Sequence, residues 1–592
     1  MSILQLKKAA LIGLAEEKLQ MLDALQALGL MHIIPLQDPQ APAQIDDTVN
    51  PERLKRALQY LLSCREKRRQ VVRTRQFSLV EMLDRIDHSR SRRLDLMARR
   101  DFLEKRIADL TPWGDFSFPE PDALAYQKLW FYLVPNFQMH QVERSGLIWH
   151  CVHRDNRHAY VVVVSEQEPD ANRMPVARTL TGNVPLSQLE QDLEDIEIEL
   201  ESTEAERQAL TRWIYQLQRC VAATQDSAFL SEVADQTLDC GEIFALQGWV
   251  AASQLDELQT FAENQGLVLL IEEPERQEVP PTLLENSEQL GGGQEVVSFF
   301  QTPGYRSWDP SRVVFFSFTA FFAIIMSDAG YALLLGAIMA YYWKSMQATR
   351  TQRRLRSLGL TLSLASFVWG VAVGSYFGAP APFDWLQQLK VIDINDFDYM
   401  MRLSIGIGAL HLLLANLMMA WVRRQSLQAW ASVGWALAVL SALLGWLQGF
   451  HLLHWLVFAL GLIMVLGMSG QEERWQVRGL LQGTLALTNI TKIFGDVLSY
   501  LRLFALGLAS ASLAITFNQL STDVAMALPG IGMFLKVLIL LAGHMLNFVL
   551  TVVSGVIHGL RLNLIEFYNW SLADEGYAFR PFSKQEVTPW TT

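Results

Sequence analysis

From residue 313 to residue 568 the sequence is a succession of apolar runs, at about 313–343, 357–379, 403–421, 429–447, 451–468, 484–520 and 531–568. Crossing a hydrocarbon layer takes roughly 20 residues, so each run is of spanning length. Within lipid the backbone must satisfy its own hydrogen bonds, which leaves helices or closed barrels. Runs this long, without strict alternation of apolar and polar residues, specify helices. Residues 1–295 are different and hold most of the charge. The net charge of −12 and the lack of an extended basic stripe argue against nucleic acid as a partner. Four cysteines (Cys64, Cys151, Cys220, Cys240) lie in the polar half without CxxC spacing, as reduced structural thiols would. No metal site or cofactor is expected. No phosphate-binding G-x-x-x-x-G-K-[ST] loop occurs, and Gly291-Gly-Gly293 reads as a linker.

Basic residues set the topology. Run 313–343 has 31 residues with Ser327-Asp328-Ala329-Gly330 in its middle, so it is one very long helix or a hairpin. The loop after it carries Lys344, Arg350, Arg353, Arg354 and Arg356, and such loops stay cytoplasmic. Met1–Leu14 is too short and too weakly apolar for a secretory signal, since Glu16, Glu17 and Lys18 follow at once. With the amino terminus cytoplasmic, an even number of crossings must precede the basic loop, which selects the hairpin. The other loops then alternate: 380–402 external and acidic, Arg423-Arg424 internal, 448–451 external, 471–483 internal with Arg474 and Arg478, 521–530 external. This gives eight spans and a cytoplasmic carboxyl terminus, in the cell (plasma) membrane.

The last two runs exceed 35 residues, about 55 Å of helix at 1.5 Å per residue. That is more than a ~30 Å layer requires, so these spans must tilt or protrude. In the seventh, Asn489, Lys492, Asp496, Ser499 and Arg502 recur at spacings of 3, 4, 3 and 3, forming one polar stripe. In the eighth, His544, Asn547, Thr551, Ser554, His558 and Arg561 recur at 3, 4, 3, 4 and 3. Ser, Thr and Asn also serve as polar glue between packed helices. A charged arginine at mid-bilayer costs several kcal/mol and implies a wet path or a carboxylate partner. Asp328, at the tip of the hairpin, reads equally as a solvated turn residue or a channel carboxylate.

In the polar half, strand–helix–strand patterns occur at residues 6–36 and again at 244–271, which suggests one lobe built from both ends. Between them lie helical tracts Pro51–Leu110 and Leu186–Val221. The second places Leu189, Leu193, Ile196, Leu200, Leu210, Ile214, Leu217 and Val221 at spacings of three and four, with a lapse at Thr203 and Arg207. That pattern in such charged helices argues an antiparallel coiled coil. Strand-like Lys128–Pro135 and His158–Ser165 would form a distal lobe. The expected domains are a proximal cytoplasmic α/β lobe (1–50 and 240–295), an antiparallel coiled-coil stalk (51–110 and 186–221) and a distal cytoplasmic α/β lobe (111–185). An α-helical polytopic membrane domain (313–570) and a cytoplasmic tail (571–592) follow.

Phe494-Gly-Asp-Val-Leu-Ser-Tyr-Leu-Arg-Leu-Phe-Ala-Leu-Gly-Leu-Ala509 resembles the signature of the large stator subunit of rotary V-type and A-type ATPases, subunit a or subunit I. Gly248-Trp-Val250, Pro280-Pro-Thr-Leu283, Asp328-Ala-Gly-Tyr331, Gly374-Ser-Tyr-Phe-Gly378, His558-Gly-Leu-Arg-Leu562 and Glu575-Gly-Tyr-Ala-Phe-Arg-Pro-Phe582 support it, so the likeness runs end to end. It implies a non-catalytic, ion-translocating subunit of the prokaryotic form. Its partners would be a rotor ring of proteolipid subunits, peripheral-stalk subunits at the lobes, the lipid membrane, and H+ or Na+ as the transported ion. Arg502 looks like the arginine facing the ring, and Arg561 like its neighbour on the last span. Ser510 stands where a histidine is usual and Thr551 where a glutamate is usual. The resemblance implies two offset half-paths, with Asn489, Lys492, Asp496 and Ser499 on the cytoplasmic side and Asp328, His544, Asn547 and Thr551 on the external side. Two rival readings are a membrane-anchored coiled-coil scaffold or signalling protein, which leaves the polar stripes unexplained, and a stand-alone secondary transporter, which would move ions as the purified chain alone.

Overall fold

A computed structural model of the chain describes residues 2–37, 51–73, 77–118, 127–170, 173–469, 477–528, 530–572, 574–585 and 587. Residues 38–50 of the proximal lobe, Arg474 in the 471–483 loop and the tail beyond residue 587 lie outside the described residues. The chain divides into two compact units. One comprises Met1–Glu16, Leu30–Leu36 and Leu238–Phe582; the other comprises Glu17–Gly29, Gln37–Thr237 and Ser583–Thr592.

The second unit is built on two long helices. Leu79–Leu110 starts where the Ser78 hydroxyl accepts the Glu81 amide at 3.5 Å, the S-x-x-E pattern of a helix start. It packs against Leu186–Leu210 with opposite sense: Arg85 lies 3.8 Å from Glu206 and Arg92 lies 2.6 Å from Glu199, so one number falls as the other rises. The tract 51–110 is not one helix, as its composition suggested, but two. Pro51–Leu62 is separate and adds Leu54, Ala57 and Leu61 to a core with Met82, Leu83, Ile86, Leu210, Ile214 and Leu217. The chain leaves this helix because it is stretched along a break at Thr211–Trp213. Arg68 N–H donates to the Thr211 hydroxyl at 2.9 Å, and the Gln216 amide donates to the carbonyls of Val71 and Val72. At Arg207 the lapse is a buried polar contact with the added helix, while the buried Thr203 hydroxyl donates back to the Glu199 carbonyl at 2.8 Å. The Arg207 guanidinium donates to the Tyr60 carbonyl and the Ser63 hydroxyl, each at 2.7 Å, and lies over the Tyr60 ring. Beyond the long helices stands a three-stranded antiparallel sheet ordered Lys128–Pro135, His158–Ser165, Ile148–Arg154.

In the first unit, strands from distant parts of the sequence share one antiparallel sheet. Ile243–Ala251 lies between Met31–Ile34 and Leu6–Leu14, and Leu6–Leu14 pairs on its other side with Val268–Glu272. Gly291–Gly293, read above as a linker, instead forms the buried first turn of helix Gly291–Phe300. A Cβ would fall 2.4 Å from Arg354 Nε at Gly291, 2.6 Å from Leu358 Cβ at Gly292 and 2.1 Å from the Ser311 carbonyl at Gly293. The three glycines are there because two helices pass too close for side chains. Arg354 is itself buried, paired with Glu295 at 2.9 Å.

The apolar half forms helices α1 (Ser311–Met326), α2 (Ala329–Tyr341), α3 (Arg350–Val373), α4 (Phe397–Val422), α5 (Gln428–Gln448), α6 (Leu452–Met468), α7 (Val477–Leu487), α8 (Asn489–Ser499), α9 (Leu501–Ala527) and α10 (Gly532–Arg561). Among the described residues, Arg350–Val373, Phe397–Val422, Gln428–Gln448, Leu481–Ala527 and Gly532–Ser571 are long and apolar enough to cross a membrane, and α1, α2 and α6 are shorter apolar helices. Run 484–520 is thus part of a longer rod with local breaks at Thr488 and Tyr500. Run 313–343 reverses direction in its middle. Phe315 on α1 shares a cluster with Leu358, and Ser327 accepts from Trp369 Nε1 at 3.2 Å, so α1 runs with α3. A Cβ on Gly370 would lie 2.3 Å from the Ala329 nitrogen and one on Gly359 2.6 Å from Met339 Cε, so α2 runs against α3. Ser327 takes the left-handed conformation (φ 44°) that the reversal needs.

Candidate ion-translocation site

Small residues bring α1, α9 and α10 together. Cβ atoms would meet Phe322 at 2.7 Å from Gly555, Phe318 at 3.1 Å from Gly559 and the Ile324 carbonyl at 2.8 Å from Gly507. Close helix approach of this kind is how membrane helices pack without a hydrophobic driving force.

At the Asp328 end of the bundle the eighth-span stripe becomes a continuous hydrogen-bonded chain. Thr551 Oγ1 lies 2.7 Å from Ser510 Oγ, and the Asn547 amide donates to the Ser510 carbonyl at 2.9 Å and to the Tyr331 hydroxyl at 3.0 Å. Tyr331 Oη is 2.9 Å from His544 Nδ1, and His544 Nε2 is 3.0 Å from Asn518 Oδ1. Because Tyr331 already accepts from Asn547, it can donate to His544 Nδ1, which leaves the proton on Nε2 for Asn518. Asn518 in turn donates to the Phe377 carbonyl at 2.8 Å. Tyr331 and Asn518 carry no periodic signal of their own and were missed as site residues, while Ser510 stood out only through the family resemblance.

Asp328 is buried and fully engaged rather than solvated. One carboxylate oxygen accepts the amides of Tyr331 and Phe377, each at 3.0 Å, and the other accepts the Ser375 hydroxyl at 2.6 Å and the Gly378 amide at 3.0 Å. It caps α2 and pins the 375–378 turn, where Phe377 is held at φ 53°.

The other end of the site holds the arginines. Arg502, the second residue of α9, is half-buried, and its Nη1 is buried without a hydrogen-bond partner among the described residues. Arg561 is exposed, with its Nε 3.7 Å from Glu566 Oε1. His558 Nδ1 is also buried and unpartnered among the described residues, and Ser554 is half-buried beside it on α10. Of the seventh-span stripe, Asn489 and Lys492 are exposed, Lys492 Nζ lying 5.8 Å from the centre of the Trp570 ring. Asp496 accepts Trp570 Nε1 at 2.7 Å, and Ser499 donates back to the Gly495 carbonyl at 3.1 Å. The stripe therefore runs from exposed residues to a half-buried arginine. Glu566, buried and beside the arginines, escaped the sequence reading.

No family model matches the chain. Curated relatives do. "V-type ATP synthase subunit I 1" of Treponema pallidum is 25% identical over 98% of this chain and 100% of its own length. "V-type ATP synthase subunit I" of Chlamydia pneumoniae is 29% identical over 58% of this chain and 61% of its own length. "A-type ATP synthase subunit I" of Methanocaldococcus jannaschii is 27% identical over 68% of this chain and 64% of its own length. The chain thus spans less than two thirds of the last two relatives. A crystal structure of the cytoplasmic N-terminal domain of subunit I, homolog of subunit a, of V-ATPase covers 45% of this chain and 99% of that chain at 16% identity, but with a TM-score of 0.23 the superposition is too loose to support an argument.

Fold and site together define a multi-pass helical membrane protein with an α/β amino-terminal domain and ionisable groups inside its helix bundle. Relatives of one kind, subunit I of V-type and A-type ATP synthases, align along up to the whole chain.

Proposed function

We propose that this chain is the stator channel half of a rotary V/A-type ATPase, a non-catalytic subunit that offers two offset aqueous half-paths to a ring of carboxylate-bearing proteolipid subunits. The observation that carries the reading is Arg502: a guanidinium within the bundle whose Nη1 has no partner among the described residues. A buried donor left open is costly unless a partner arrives from elsewhere. A ring carboxylate passing this point would supply one and, facing a fixed positive charge, would release its ion.

The exposed-to-buried gradient from Asn489 through Lys492, Asp496 and Ser499 supports a cytoplasmic half-path leading to Arg502. The chain Asn518–His544–Tyr331–Asn547–Ser510–Thr551 supports the external one, with Asp328 as the anchor at its border. Ser554 and His558 continue the α10 stripe toward Arg561. The reversals from α1 to α2 and from α2 to α3 support counting α1 and α2 as two of eight spans, with both termini cytoplasmic, in the cell membrane. The antiparallel helices Leu79–Leu110 and Leu186–Leu210 would act as a coiled-coil stalk between the proximal and distal lobes, which would hold peripheral-stalk subunits and resist torque.

The test is ATP-driven ion uptake into vesicles holding the assembled complex, with wild-type chain and with Arg502→Ala. The purified chain alone should conduct no ions, which separates a stator from a stand-alone transporter.

A further inference from the structure

After Arg561 the last helix changes its winding. Leu562–Phe567 forms a π turn, closed by i→i+5 hydrogen bonds, before the chain resumes α-helix at Tyr568–Ser571. At about 100° per residue, an unbroken α-helix would set Arg561 and Glu566 about 140° apart around the axis. The π turn brings a residue back over the one five positions earlier, and such turns concentrate at functional sites. Here it lays Glu566 against Arg561, with 3.7 Å between Oε1 and Nε.

The charges near this turn do not balance without Glu566. Arg502 and Arg561 lie within electrostatic range of each other and of Glu566. The Asp496 carboxylate is engaged by Trp570. Glu566 keeps only 4% of its side chain exposed, while Arg561 keeps 51%. Glu566 Oε2 is buried without a donor, and Arg502 Nη1 is buried without an acceptor, among the described residues. A carboxylate is seldom buried unless paired, and this one is half-paired, with a guanidinium that can swing to water.

We propose that Glu566 is the positioning counter-charge of the arginine pair: the π turn inserts it so that Arg561 stays beside Arg502 instead of being repelled into solvent. The inference rests on the stator-channel reading above. Glu566 touches no transported ion in this scheme. It acts through the arginines.

The test uses the assembled complex in vesicles. Glu566→Gln removes the charge and keeps the shape, and should lower ATP-driven uptake at least tenfold, while Glu566→Asp retains part of it. In the double variant Glu566→Gln/Arg561→Gln the repulsion is gone, so uptake should rise to the level of Arg561→Gln alone. A purely structural glutamate would not be rescued by deleting its partner. Uptake by Glu566→Gln within twofold of wild type, or a double variant no better than Glu566→Gln, overturns the proposal. If Glu566→Gln fails to assemble, assembly of the double variant supports the proposal and its failure overturns it. Normal pumping by Arg502→Ala would instead bring down the stator-channel reading itself, which keeps the two failures apart.

Discussion

Ser510 on α9 and Thr551 on α10 touch hydroxyl to hydroxyl at 2.7 Å. These are the two positions where the sequence departs from the histidine and glutamate usual in eukaryotic subunit a, and they face each other. Here both positions are neutral hydroxyls in direct contact. The hydroxyl pair keeps the polar chain continuous without an ionisable group at this point.

Removing one member of that pair leaves the other buried and unsatisfied. Ser510→Ala or Thr551→Val alone should destabilise the purified protein by about 1 kcal/mol, the scale of interhelical hydrogen bonds in membranes. The double variant should recover most of the loss, because replacing both partners is far milder than orphaning one. Thermal unfolding in detergent reads this. Simple additivity of the two losses would mean that the hydroxyls are not coupled.

Asp328 is expected to be a stability residue before it is a transport residue. It holds four donors from two segments, so Asp328→Ala should cost on the order of 3 kcal/mol, a lost cap plus orphaned amides around a charged group. The melting temperature of the isolated chain should fall accordingly. A variant that melts like wild type yet fails to transport would assign Asp328 to the ion path instead.

Topology can be read with single cysteines. Those placed in the 380–402 loop should react with an impermeant thiol reagent added outside intact cells, and those at 344–356 should not. The opposite pattern would remove the crossing pair α1–α2 and the even count that depends on it.

What the sequence made legible followed from periodicity. Apolar run length marks the helices, and the polar insert Ser327-Asp328 marks the reversal inside the first run. Spacings of three and four marked His544, Asn547 and Thr551 as one face, and all three enter the same hydrogen-bonded chain. The failures are departures from a constant period. Glu566 lies five residues from Arg561 and only a π turn brings it round, so a 3.6-residue template sets it on another face. Arg207 looked like a lapse because its burying partner, Tyr60 and its helix, lies 147 residues earlier. Gly291–Gly293 looked like a linker because close approach of Ser311 and Leu358 leaves no trace in local composition. Tyr331 sits among apolar neighbours, where one polar residue has no rhythm to be read, and Asn518 lies among other polar residues (Thr516, Gln519, Ser521) that hide it.

Arg502 carries the sharpest prediction. A guanidinium remains protonated at any relevant pH and offers five donors in a fixed fork. An opposite charge within ~4–6 Å can lower a carboxylate pKa by one to three units, enough to strip an ion from a passing ring carboxylate. Arg502→Ala should therefore abolish ATP-driven transport while the complex still assembles, since the glycine-mediated contacts of α9 with α1 remain. Arg502→Lys should fail or nearly fail. Its ammonium is a compact point charge on a shorter reach, and its pKa falls readily on burial. Arg561→Ala should be milder, because that side chain is 51% exposed and water can take over part of its role. Transport and ATP hydrolysis measured together in verified complexes decide the matter. Pumping by Arg502→Ala at near wild-type rates would leave the stator-channel mechanism without its central charge.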